Sequence, residues 1–315
     1  MPGLQGADGG GDPAPSVAGG RVVVESAAPR AATAGLRPAR LAVPLFILSA
    51  VSQYLGASLA VRAFGVMPAA GVAWIRVLTG AVVLCAWRRP WRGLRRRPPE
   101  ALVLVAAFGV ALAAMNLTFY LAIDRLPLGT AVAIEFVGPV LVAAVAARGP
   151  RNLAALALAI AGVATLTRIS LSGHADGVAF ALAAGMLWAG YIVLAHRVAR
   201  RGLGTAGLAG AMAVGVVAIA PFGLVPAAAN AGKGGILALV ALVGILSSAL
   251  PYALDQVLLR RLSRGAYAVL LSLLPATATV MGLVLLGQIP GTAEVIGIAL
   301  VVSAVALRSP EDAAA

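Results

Sequence analysis

Ten apolar stretches divide this 315-residue chain, and most of its arginines fall in every second gap between them. The stretches cover residues 42–62, 68–87, 101–122, 128–147, 152–167, 177–196, 206–227, 234–253, 266–287 and 291–307. A helix crosses about 30 Å of hydrocarbon with roughly 20 residues at about 1.5 Å each, which these lengths approach or meet. Composition agrees, with 61% hydrophobic and 11% charged residues. So few charges cannot cover the surface of a water-soluble domain, which carries about 25%. Runs such as ALVLVAAFGVALAA do not alternate, so a membrane β-barrel is excluded. The expected fold is an all-α membrane protein of ten transmembrane helices, with backbone groups satisfied within each helix.

The net charge of +13 is distributed as a topology signal, not as a nucleic-acid surface. With the N-terminus inside, 19 basic residues lie on the cytoplasmic side and 4 outside, namely Arg62, Arg125, Arg168 and Lys233. This bias predicts a multi-pass protein with both termini cytoplasmic. The cluster RRPWRGLRRR after the second stretch reads as an anchor at the anionic inner leaflet. Residues 1–41 and 308–315 read as cytoplasmic tails, the first one disordered and without a removable signal peptide. Cys85 is the single cysteine, so it forms no internal disulfide.

Two segments repeat at a distance of 136 residues. LPLGTAVAIEFVGP from Leu126 and LSRGAYAVLLSLLP from Leu262 share Leu, Gly and Pro, the last as Pro139 and Pro275. Each joins the third to the fourth stretch of a five-stretch half, 42–167 and 177–307. An odd number of spans per half inverts the second half relative to the first, a plan found in secondary transporters. Pro139, Pro251 and Pro275 fall inside stretches, where each removes a helix hydrogen bond and can form a kink or gate.

Arg76, Asn116 and Glu135 are the informative polar residues within spans. In the inferred topology all three lie about 9–12 Å below the same boundary, so they can converge on one cavity. A charge facing lipid is costly, so Arg76 and Glu135 should face inward. They form either an inert ion pair or a substrate site. In the second case Arg76 can hold a carboxylate through a bidentate contact, and Glu135 can hold an ammonium or exchange a proton. Tyr120, one turn beyond Asn116, lines an entrance or joins the interfacial aromatic belt. Trp188 and Tyr191 share a helix face and either wall the cavity or pack. Tyr252 clusters with Asp255 and Gln256. No Walker loop, metal-ligand cluster or nucleophile–base pair is visible, so neither an enzyme nor a bound metal or cofactor is expected.

GASLAVRAFGVMPAAGVAWIRVLTG, MNLTFYLAIDRLPLGTAVAIEFVGP and ILSSALPYAL resemble the drug/metabolite transporter superfamily in its EamA-type branch, near the bacterial inner-membrane threonine and homoserine exporters. The resemblance covers about residues 42–307. It implies ten helices in two inverted halves, a central cavity, and efflux of a small-molecule substrate coupled to protons. It also brings forward Arg76, Asn116, Tyr120, Glu135 and Pro139. The chain departs from the family pattern at Leu274 and at Gln288, where those exporters commonly carry acidic residues. Efflux of aromatic amino acids or drug-like amines is the alternative within transport. A membrane scaffold or sensor is the alternative outside it.

Overall fold

The computed structural model describes residues 36–146, 149–252, 254, 258 and 270–307. The described part of the N-terminal unit, Met1–Arg37, is the first two residues of α1; the described residues from Pro38 on belong to one packed unit. Asp255, Gln256 and most of both tails lie outside the described residues.

The described residues are helical throughout their secondary structure. In chain order the helices are α1 Leu36–Ala63, α2 Ala69–Arg88, α3 Pro90–Leu94, α4 Pro99–Ile123, α5 Leu128–Glu135, α6 Val137–Ala146 and α7 Pro150–Arg200. They continue with α8 Gly204–Ala218, α9 Ala220–Ala229, α10 Gly234–Gly244, a π-helical segment Ile245–Ala249, α11 Leu273–Leu286 and α12 Thr292–Leu307. By length and hydropathy six segments could each cross a bilayer, two of them within α7 (Pro150–Arg168 and Gly173–Arg200) and one running from α10 through the π-helical segment to Tyr252, or seven if α8 and α9 form one bent span. Leu128–Val142, Leu273–Leu286 and Thr292–Leu307 are apolar but shorter. Large apolar side chains face outward, Val217 and Val225 each 73% exposed, as they must where lipid is the solvent.

One stretch, the seventh, differs from the sequence expectation. The fifth and sixth are separate candidate spans, Pro150–Arg168 and Gly173–Arg200, as expected, and α7 is kinked between its two parts at His174 (φ −142°, ψ 45°). The seventh is bent by 72° between α8 and α9, with Pro221 in the first turn of α9. The first candidate span, Ala42–Ala63, matches the expected stretch, and its helix extends back to Leu36.

Pro139 cannot bond the carbonyl of Glu135, and one turn residue, Phe136, stands between α5 and α6 with its backbone still right-handed (φ −64°, ψ −11°). Pro275 stands in the same relation to Ser272, the turn residue before α11. Both turn residues fall three residues before the proline. The α5/α6 break is pinned by backbone crossing. A methyl group on Gly138 would overlap the Gly185 carbonyl of α7, and one on Gly185 would meet the Glu135 carbonyl at 2.6 Å. Likewise α4 crosses α8 where Gly109 meets Ala211. Small residues at such crossings let helices gain van der Waals contact where water supplies no drive.

Candidate functional site

Pro251 begins the construction of the site. Its ring nitrogen has no hydrogen, so the Ser247 carbonyl four residues earlier lacks an α-helical partner. The preceding turn relaxes into the π-helical segment, where Leu250 N–H donates to Ile245 rather than Leu246. Two carbonyls are thereby freed, and both are met by side chains from the other half of the chain. Ser52 of α1 donates to Leu246 O at 2.8 Å. Arg76 of α2 donates through Nη2 to Ser247 O at 2.9 Å, and through Nε to Ser248 Oγ at 3.2 Å. The Ser247 hydroxyl in turn donates to Gln53 O at 3.0 Å. Gly56 makes this possible, because a methyl group there would overlap the Ser247 hydroxyl.

Below the guanidinium lies the Tyr120 ring, its centroid 5.0 Å from Arg76 Cζ. A cation over a desolvated ring face gains up to about 2 kcal/mol. Tyr120 is fully buried and meets Phe64 and Phe119 edge-on at 6.0 and 6.1 Å. It is therefore a floor for Arg76. Its hydroxyl faces Ser247 and Arg76 but makes no hydrogen bond of ordinary geometry.

Glu135 ends α5 and is buried, 8% exposed. Arg76 of α2 and Tyr54 of α1 are the groups with which its carboxyl interacts electrostatically. The ion pairs among the described residues join Arg125 to Asp124 and Asp176, and none joins Arg76 to Glu135. The guanidinium rests on neutral acceptors instead. Five N–H donors exceed the two contacts described, so the planar fork retains capacity for an anionic partner.

The other expected residues divide. Asn116 is buried but turns its amide back to Leu112 O of its own helix at 2.8 Å. Trp188 packs edge-on against Phe136, at 4.9 Å, so it supports the break beside Glu135. Tyr191 stacks on Phe108, 5.1 Å away, in a separate cluster with Val198 and Leu203. Tyr252 packs at the margin of the main core, and Pro251 is buried. Pro139 shapes the break under Glu135, and Pro275 shapes its counterpart. Among the described residues no group of His, Cys, Asp and Glu could hold a metal.

Sequence reasoning missed Ser247, Ser248, Ser52 and Tyr54. The freed Ser247 carbonyl was readable from Pro251, but what would meet it was not.

A many-helix chain with a buried guanidinium and carboxylate has the character of a membrane transporter, and comparison with known proteins agrees. The model of the EamA-like transporter family matches residues 175–309. The threonine/homoserine exporter RhtA of Salmonella typhimurium (strain LT2) is 36% identical over 250 residues, covering 78% of this chain and 84% of that protein. The RhtA of Escherichia coli (strain K12) is 36% identical over 251 residues, with the same coverage. The chain belongs to the EamA-like transporter family. A crystal structure of a protein 22% identical superposes with a TM-score of 0.53, covering 84% of this chain and 95% of that one, a likeness of fold alone.

Proposed function

We propose that this chain is a secondary-active exporter of small amino acids of the threonine and homoserine kind, in a bacterial inner membrane. The carrying observation is the buried contact of Arg76 with Tyr120 and Ser247, with Glu135 buried at the end of α5, in a chain 36% identical to threonine/homoserine exporters. In this reading Arg76 takes the substrate carboxylate. Glu135 takes the ammonium or the coupling proton, and the Tyr120 hydroxyl adds a polar contact. The three shorter apolar helices complete ten spans in two inverted halves, residues 42–167 and 177–307, with both termini cytoplasmic. Arg76, Tyr120 and Glu135 are each at most 8% exposed, so export requires the halves to part around them. Alternating access by rocking supplies that movement.

The test is efflux of labelled homoserine and threonine from loaded cells, with and without the chain, and with and without an uncoupler. Faster, uncoupler-sensitive efflux is expected, and Glu135→Gln should abolish it while the protein still inserts. Unchanged efflux with the chain in the membrane sends the substrate search elsewhere. Glu135→Gln transport equal to wild type at several pH values removes Glu135 from coupling.

A further inference from the structure

Where α5 begins, α11 ends and α12 begins lies a cavity of about 130 Å³, lined by none of the residues that contact Arg76. Gly287 shapes one wall. Its left-handed backbone (φ 68°) ends α11 and turns the chain into Gln288. Gln288 Oε1 then accepts the Leu128 N–H at 2.9 Å, capping a helix whose own N-cap, Pro127, offers no side-chain cap. Glu294 of α12 accepts from the Thr130 hydroxyl at 3.1 Å and from Gly291 N–H at 2.9 Å.

The hydrogen-bond directions decide what the cavity can take. The Thr130 hydroxyl proton goes to Glu294, and the Thr279 hydroxyl proton goes to Pro275 O at 2.8 Å. The Leu128 N–H goes to Gln288. These hydroxyls therefore present lone pairs to the cavity. Glu294 is the charged residue among those lining it, and its two described donors are neutral. A carboxylate has about four lone-pair sites, so two donors leave capacity. Pro290 and Ile298 supply apolar wall. An acceptor-rich, anionic, partly apolar cavity of this size fits a compact group with several donors and one positive charge.

We propose that this cavity is a second binding site, selective for a primary ammonium group, at the end of the transport path opposite the arginine-rich loops. The proposal rests on the exporter reading and deepens it. Glu294 receives the ammonium of a departing amino acid, in exchange for the bond to Thr130 that ties α5 to α12. Release of that bond frees the outer end of the helix that carries Glu135.

The test places a thiol at the rim as Ile289→Cys, an 83% exposed position, in a Cys85→Ser background. Labelling by a membrane-impermeant maleimide should slow with ethanolamine or L-threonine and not with N-acetyl-L-threonine. Adding Glu294→Gln should weaken that protection about tenfold, the loss of one charge-assisted hydrogen bond. Labelled ethanolamine should also bind saturably to purified Glu135→Gln protein, and about tenfold more weakly once Glu294→Gln is added. Protection that ignores Glu294→Gln, or no saturable ethanolamine binding to Glu135→Gln protein, overturns the proposal. Ethanolamine binding does not require threonine export, so failure of the exporter reading is seen separately in the efflux assay.

Discussion

Pro251 lacks a hydrogen, and Arg76 takes its place as the donor to Ser247 O. Restoring an N–H by Pro251→Ala gives that carbonyl a helical partner in competition with the guanidinium. The variant is expected to insert with equal or better yield and to export more slowly, read as efflux per inserted molecule. Equal rates would mean that the freed carbonyl is incidental. Ser248 makes the sharper test, because only its hydroxyl is at issue. Losing one hydrogen bond to a charged group costs about 1.5–3 kcal/mol, so Ser248→Ala should raise the apparent KM for efflux by about tenfold or more. Ser248→Thr keeps the hydroxyl and should stay near wild type, and a fall as deep as that of alanine would point to packing instead.

Helix breaks, more than helices, organise the elements. The α5/α6 junction depends on contact between the Gly138 and Gly185 backbones, so Gly138→Ala forces α6 off α7. Overpacking of this kind costs about 1–3 kcal/mol. A clearly lower melting temperature in detergent is expected, whereas Gly149→Ala, with open space around it, should match wild type. Equal stability of the two variants would mean that the crossing is loose. The sequence displayed the prolines behind the paired breaks at Phe136 and Ser272, because a missing N–H is a local fact. It also displayed the junction between the fifth and sixth spans, because the polar, glycine-bearing stretch SLSGHADG has the composition of a loop and the chain leaves helical geometry within it, at His174. It concealed the bend at Ile219, since hydropathy averages across Pro221 without registering it. Arg76, Asn116 and Glu135 were legible as buried because charge and amide groups are rare in such stretches. Their partners were not, because Ser247 stands 171 residues from Arg76 and only packing brings them together.

For the whole molecule, the arginine pattern fixes the expected placement of each loop. Alkaline phosphatase fused after Gly232 should be active outside the membrane, and the same fusion after Arg95 should be silent. The reverse result would invert the assignment of both termini and of the Glu294 cavity. The dependence of Arg76 on Ser247 also has a consequence for biogenesis. At about 5–20 residues per second, α2 is made roughly 10–30 s before the segment that supplies its acceptors. For that interval the nascent chain carries a guanidinium whose hydrogen-bond acceptors, Ser247 and Ser248, do not yet exist. The insertion machinery, or a transient neighbour among the early helices, must shelter it. A first half expressed by itself should therefore be cleared by quality-control proteolysis, and coexpression of the second half should rescue it.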